Sequence, residues 1–478
     1  MLELSSIRKN KVNLADYNFQ LDIDSRMLLA DFSQFDQEVI EEILFNPLKI
    51  SIKKLCRTLE CSENKLQPIL QKLSSVGLIQ FREDMLLVDK ERRKYFEFQI
   101  SRFDERFTPN MEFIQGLLKL VPIHVLPSWY AIPRSSNNIF ESIVEKYLLT
   151  PQIYQRYVSE LNFSDPIING IIQDVFSSPD FKVSSSDLIA KYNLARSDFE
   201  QVMLQLEFHF VCYVTYSRDD EHWNEWVTPI HEWREYLLFL QNTETPVITE
   251  SKSIIRNRKN DFAFVEDMGN LLRLAKKKPF SIDRKQNELT PATIKSLALH
   301  CKIPIDTCEK IAFAGHYFTQ IIDKLTLVRL AESVNGRLTV LDTAKEWLEM
   351  NMENRALYLY RHSLNKLVSS TLNLNLCTEK NLREAEKSIK RVLHGGWILF
   401  DDFIQGSIVS FNEDSAVVLK KNGKQWKYML PQYSDDEKSL IKATIFDFLF
   451  ECGIVAIGTI NGQDCFAVTP FGQYFLEE

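Results

Sequence analysis

The sequence predicts a mainly α fold with small β-hairpins (α+β), arranged as a row of similar small modules joined by helical connectors. Three observations carry this expectation. Apolar residues recur at helical spacing along most of the 478 residues. Short apolar runs separated by Gly or Asn-Gly turns read as hairpins. The same order, three helices and then a hairpin, can be read four times.

The first copy lies within residues 35–107. Val39, Ile40, Ile43 and Leu44 define a helix that Pro47 ends. Ser51 opens a second helix carrying Ile52, Leu55 and Leu59, and Ser62 a third with Leu66, Ile69, Leu70 and Leu73 on one face. Pro68 removes one hydrogen bond from that helix and is expected to kink it. Gly77 stops it in a left-handed conformation. Leu78–Phe81 and Met85–Val88 then pair as a hairpin. The second copy, over residues 166–237, has helices through Ile168 and Val175, from Ser184, and through Phe199 and Leu206, with strands from Phe210 and at Trp226-Val227. In the third, over residues 262–348, Thr290-Pro291 opens one helix, Asp306 with Glu309 opens the next, and Asn335-Gly336 turns the hairpin. In the fourth, over residues 379–476, Ser434 and Glu437 form a capping box and Asn461-Gly462 a second Asn-Gly turn.

Each hairpin leads into a further helix start. The pattern is Val227-Thr228-Pro229 with Trp233, Leu341-Asp342-Thr343 with Trp347, and Val468-Thr469-Pro470 with Tyr474; Val88-Asp89 is its weaker form in the first copy. Thr or Asp caps, Pro fits the first turn, and the aromatic turns back to the core. These landmarks divide the chain into residues 1–107 (an N-terminal segment and the first module), 108–160 (a helical connector), 161–243 (the second module), 244–370 (a linker and the third module) and 371–478 (the fourth module). Residues 244–260, polar and bearing Arg256, Arg258 and Lys259, suit an exposed linker.

Three helices closed by a hairpin are the order of the winged-helix fold, a helix-turn-helix variant. Leu73-Ser74-Ser75-Val76-Gly77-Leu78-Ile79 resembles the junction of third helix and wing in that family. The third and fourth copies together are similar to the helicase-associated winged-helix region that accompanies XPB-type helicases. Phe264 to Leu274, Leu341 to Leu348, Trp397 to Phe403 and Val468 to Gly472 carry that likeness. The resemblance implies nucleic-acid transactions or protein scaffolding. The motor is missing, because no G-x-x-x-x-G-K-[ST] is present to cradle a nucleotide.

Composition narrows the rest. With 57 Lys and Arg against 65 Asp and Glu, the net charge of −8 excludes a generally basic coat for nucleic acid or membrane. No run reaches the roughly 20 apolar residues of a membrane helix, and the first residues lack the pattern of a secretory signal. Eight scattered cysteines without a C-x-x-C read as reduced thiols, which places the chain in the cytoplasm. His300, Cys301, Cys308 and His316 lack zinc spacing, and His222, His231 and Glu232 do not form H-E-x-x-H. Asp219-Asp220-Glu221-His222 reads as a solvated turn rather than a helicase acidic box. No nucleophile elbow or dinucleotide fingerprint is present. The expectation is a protein that is not an enzyme, with no catalytic residue, cofactor, metal or small-molecule substrate.

Charge on the third helices sorts the modules. Glu63, Lys65 and Lys72 leave the first slightly positive, whereas acids outnumber bases in the other three. Phosphate contact supplies most non-specific affinity, so the first module is the expected DNA binder and the acidic modules the expected contacts for partner proteins. Candidate nucleic-acid residues are Lys53, Lys54, Arg57, Lys65, Lys72, Arg92 and Arg93. A second candidate cluster is Lys420, Lys421, Lys424 and Lys427 around Trp426, where a ring among lysines suits base stacking. The expected role is an accessory one in transcription, replication or repair; the alternative is a protein scaffold that binds no nucleic acid.

Overall fold

The computed structural model describes residues 18–120, 139–362 and 372–477, apart from residues 162, 164, 220, 221, 283, 286, 287, 374, 413–415 and 424. The fold is mainly helical, with antiparallel sheets of two to four strands. It divides into two compact units, residues 1–239 with 418–429, and residues 240–417 with 430–478.

The first unit contains two modules of one design. In the first, helices Gln34–Phe45, Ile52–Thr58 and Glu63–Ser75 precede strands Ile79–Arg82 and Met85–Val88. Ser33 and Asp36 close a capping box on the first of these helices. The short strand Lys49–Ser51 pairs with Met85–Val88, which lies in the middle of the sheet. Gly77, at φ +76°, adopts the expected left-handed conformation. Pro68 lies inside a helix that runs unbroken from Glu63 to Ser75, with its ring exposed, so water can take the carbonyl its missing N–H leaves behind.

The second module has helices Pro166–Ser177, Ser185–Tyr192 and Arg196–Phe208 and strands Cys212–Asp219 and His222–Pro229. Val183–Ser184 again pairs with the last strand, giving the same strand order.

The two modules share one hydrophobic core. The same unit encloses an ion triad. The Glu207 carboxylate, fully enclosed, accepts from Arg102 at 2.6 and 2.9 Å and from Arg26 at 2.7 Å. Arg26 comes from helix Phe19–Ala30, which packs on helix Arg196–Phe208, and Arg102 from the turn Ser101–Phe103. Phe103 stacks on Tyr216 at 4.1 Å.

The connector helices Met111–Leu120 and Pro151–Glu160 belong to this unit. Tyr154 and Tyr157 donate to the carbonyls of Phe210 and His209 at 2.5 and 3.0 Å. Hairpin Leu419–Asn422/Gln425–Tyr428 joins the unit from far along the chain. Its Leu419 N–H donates to Leu149 O at 2.8 Å, and its Tyr428 hydroxyl donates to Leu148 O at 2.9 Å.

In the second unit, helices Ala263–Lys277, Pro291–His300 and Cys308–Leu327 precede strands Ala331–Val334 and Arg337–Val340. Ser281 bridges to Arg337, the position of the short strand in the other modules. Asn335 and Gly336 both have positive φ, as a tight hairpin turn requires. The last module runs through helices Glu379–Ser388, Phe400–Gln405 and Asp435–Ala443, the last continuing as a π-turn over Thr444–Leu449. Strands Val455–Ile460 and Gln463–Val468 follow, with Ile398–Leu399 against the latter. Gly472 meets Ile454 so closely that an added Cβ would lie 2.1 Å from its carbonyl oxygen, so only glycine fits there.

Residues 244–260 are mostly exposed, as expected of a linker, but parts of the segment are held to the unit by backbone pairing and an ion pair. Val247 bridges to Ile398, and Ile255–Arg256 adds a fourth strand beside Val455–Ile460. Arg258 donates at 2.7 Å to buried Asp267, which also accepts from the Tyr317 hydroxyl at 2.9 Å.

Burial raises the Glu207 pKa, but Arg102 and Arg26 outweigh it and hold the carboxyl at about 2. Its contribution to stability is therefore present above the ordinary carboxylate range, and is lost as pH falls from about 4.5 toward 2, on the order of 3 kcal/mol. Glu207→Gln is expected to lower the free energy of urea unfolding by about 3–5 kcal/mol at pH 7, because it leaves two buried guanidiniums short of charge. The same measurement at pH 3.5 should show a smaller gap between variant and parent.

Candidate nucleic-acid interface

Helix Glu63–Ser75 turns Leu66, Ile69, Leu70 and Leu73 inward. At 100° per residue, Asn64, Gln67, Pro68, Gln71 and Ser75 fall on the opposite arc, and all are exposed. Lys65 and Lys72 run along one flank of that arc. Among the described residues, Asn64, Gln67 and Gln71 make no side-chain hydrogen bond, and Lys72 and Arg57 no ion pair. The Lys65 ammonium lies 4.0 Å over the Phe35 ring, and Lys54 donates to Asn46 Oδ1 at 3.0 Å; both keep their charge at the surface. Lys53 pairs with Asp84 at 3.3 Å, an exposed contact that holds it weakly.

Arg92 and Arg93 do not belong to this surface. Arg92 donates from Nε to Val76 O at 3.1 Å and also bonds the Ser25 hydroxyl, with its guanidinium 4.7 Å from the Tyr95 ring. Burial lowers its pKa. Arg93 donates to Asn46 O at 2.9 Å and to Glu97 at 2.8 Å. Val76 and Asn46 are the C-caps of helices Glu63–Ser75 and Gln34–Phe45. Both arginines thus satisfy carbonyls at helix C-termini, where cations are favoured.

The lysine cluster around Trp426 is divided by strand alternation. In hairpin Leu419–Asn422/Gln425–Tyr428, Lys421 opposes Trp426 and Lys420 opposes Lys427. Trp426 therefore shares a face with Lys421, Leu419 and Tyr428, and Lys420 and Lys427 project from the other. Trp426 is half-buried, edge-on to Phe140 at 6.0 Å. Lys424 lies outside the described residues. The ring is partly covered by Phe140, and of the described lysines only Lys421 shares its face.

The third helices of the second and third modules are largely occupied by packing, and that of the fourth, Asp435–Ala443, exposes Asp435, Asp436, Lys438, Ser439 and Lys442. Helix Arg196–Phe208 buries Phe199, Glu200, Val202, Met203, Leu204, Leu206, Glu207 and Phe208. In the second unit, Lys324 of helix Cys308–Leu327 pairs with Glu451 at 2.7 Å, and Gln320 donates to Asp447 at 3.0 Å. Burial pushes the Glu451 carboxyl up to about 7 despite Lys324. Glu200, Glu207 and Glu451, which sequence counting treats as surface charge, are interior groups.

Charge counting also passed over Asn64, Gln67 and Gln71. Their spacing opposite the Leu66–Leu73 stripe is readable in the sequence and was the available signal.

Among the described residues, no group of three or more His, Cys, Asp or Glu is placed to hold a metal, all eight cysteines are free, and no helix is long and apolar enough to cross a membrane. No protein-family model matches the sequence, and no curated protein matches it.

Arg92→Ala and Arg93→Ala are each expected to lower stability by about 1–2 kcal/mol in urea unfolding, through lost bonds to helix ends and lost stem packing. Neither is expected to change nucleic-acid affinity by more than about twofold, a difference of roughly 0.4 kcal/mol, in a titration below the melting transition.

Proposed function

We propose that the chain is a non-enzymatic winged-helix accessory protein for nucleic-acid transactions, and that it holds duplex nucleic acid through its first module. The observation that carries this reading is the outer face of helix Glu63–Ser75. There Asn64, Gln67, Pro68, Gln71 and Ser75 are exposed, and among the described residues the three amides make no side-chain hydrogen bond, whereas the exposed face of helix Asp435–Ala443 carries Asp435 and Asp436. The strand order of its sheet, with Met85–Val88 between Lys49–Ser51 and Ile79–Arg82, is in keeping with a wing beside a reading helix. Lys54, Arg57, Lys65 and Lys72 supply the phosphate contacts. The remaining modules give the molecule its architecture and its protein contacts in transcription, replication or repair. Eight free cysteines suit work in the reducing cytoplasm.

A second reading, a scaffold that binds proteins alone, is favoured by one observation. Phe45 is 78% exposed at the end of helix Gln34–Phe45, in a shallow depression lined by Glu38, Glu41, Glu42 and Glu60.

Salt separates the two. Four cations on phosphates give a slope of about −3.6 in log affinity against log salt, so binding to a labelled duplex is expected to weaken about 150-fold between roughly 50 and 200 mM salt. The triple variant Lys54→Glu/Arg57→Glu/Lys72→Glu is expected to abolish the low-salt shift without altering the circular dichroism spectrum. A duplex that does not bind the parent protein at 50 mM salt would leave the scaffold reading standing.

A further inference from the structure

We infer that the first module is a sequence-selective reader of duplex DNA, and that Asn64, Gln67 and Gln71 select adenine-bearing sites through the major groove. This rests on the nucleic-acid reading above and deepens it.

The centre of the outward arc of helix Glu63–Ser75 is amide, not cation. Asn64, Gln67 and Gln71 stand one and two turns apart along one stripe, all exposed and without side-chain partners among the described residues. Two turns of helix rise about 10 Å, which matches three base-pair steps of about 3.4 Å in a groove wide enough for a helix. A carboxamide offers one donor and one acceptor side by side, the complement of adenine N7 and N6 in that groove. Lys65 and Lys72 sit beside the stripe rather than in it, where a phosphate backbone would run along the groove wall.

Charge makes the same point from the other side. The helix carries Glu63 against Lys65 and Lys72, and two of the module's arginines are spent on helix ends. Four phosphate contacts give weak non-specific binding at physiological salt. An occupied complex then needs base contacts, and the exposed side chains able to supply them on this face are carboxamides and Ser75. The packing reinforces the assignment. The four apolar residues opposite the stripe are buried, so the helix cannot rotate to present another face. Substituting the stripe changes no core contact.

The experiment is selection from a randomised duplex library with the full chain at about 50 mM salt, followed by titration of the enriched site and of a scrambled duplex. The parent protein is expected to enrich a short motif with two or three adenines at fixed spacing. It should bind that motif at least tenfold tighter than the scrambled duplex. The variant Asn64→Ala/Gln67→Ala/Gln71→Ala should bind both duplexes equally, at the affinity of the parent for scrambled DNA, with the same salt slope. Each single substitution should reduce the preference about 5- to 100-fold at one base position. Alanine favours the helix, so circular dichroism melting should show no loss of folding. Binding without an enriched motif, or a motif that survives the triple substitution, overturns the inference while the nucleic-acid reading stands. Failure to bind any duplex at 50 mM salt overturns both.

Discussion

A single carboxylate sealed between two guanidiniums fixes the first unit. Glu207 lies on the third helix of the second module, Arg102 in the turn after the first module and Arg26 on the helix that opens the described chain. None of the three could be enclosed alone, since an unpaired buried charge costs several kcal/mol. Apolar residues of similar volume could pack as tightly. What the triad adds is direction, because bidentate Arg–carboxylate contact fixes geometry where hydrophobic contact does not. The balance extends outward: Asp22 accepts from Arg26 at 3.1 Å and from the Tyr95 hydroxyl at 2.6 Å, which engages the second guanidinium charge. With helix Arg196–Phe208 anchored this way, most of its surface becomes core, and Asp198 and Gln205 are what it leaves exposed.

The second unit solves the same problem with a weaker electrostatic set. Lys324 meets Glu451 at the contact between two third helices, and both are buried. One cation does not offset the desolvation of Glu451, whose carboxyl rises to about 7, whereas two arginines hold Glu207 at about 2. The sign of the pH dependence therefore reverses. Glu207 stabilises its unit above the ordinary carboxylate range and loses that effect in acid. Glu451 favours its unit below about pH 4.5 and loses that effect as pH rises through about 7. Burial is similar in the two sites; the number of opposite charges within contact decides the outcome.

Local chemistry was legible in the sequence and long-range chemistry was not. The Asn335-Gly336 and Asn461-Gly462 turns, the Ser434–Glu437 capping box, the Thr290 cap and the Gly77 stop all act within a few residues, and each forms where composition puts it. The hidden features are contacts over tens or hundreds of residues. Nothing near Arg92 announces that Val76 and Ser25 will take its donors. Lys420, Lys421 and Lys427 are exposed as the sequence suggests, but the contacts of Trp426 with Phe140 and of Leu419 with Leu149 are hidden because those partners are remote in sequence. Charged residues mislead most in this way. Their solvated and enclosed forms look identical in a sequence, and only a partner across the fold tells them apart.

The same distinction bears on how an acidic chain could hold an anionic polymer. Net charge acts over the whole molecule, but salt screens it beyond roughly 8–10 Å, so a ligand on one helix senses mainly the side chains around that helix. Glu200, Glu207 and Glu451 are enclosed, and the first two are neutralised beside arginines, so they contribute little field at the surface. What a duplex would meet on helix Glu63–Ser75 is Glu63, Lys65, Lys72 and a row of neutral amides. Such a face neither repels phosphate nor binds it strongly. Discrimination then falls to hydrogen bonds that a mismatched base leaves unmade, and those are costly for polar groups pressed against a groove and emptied of water. On the proposed reading, the scarcity of cations is what permits selectivity: a more basic helix would hold every sequence, and the amides would have little left to decide.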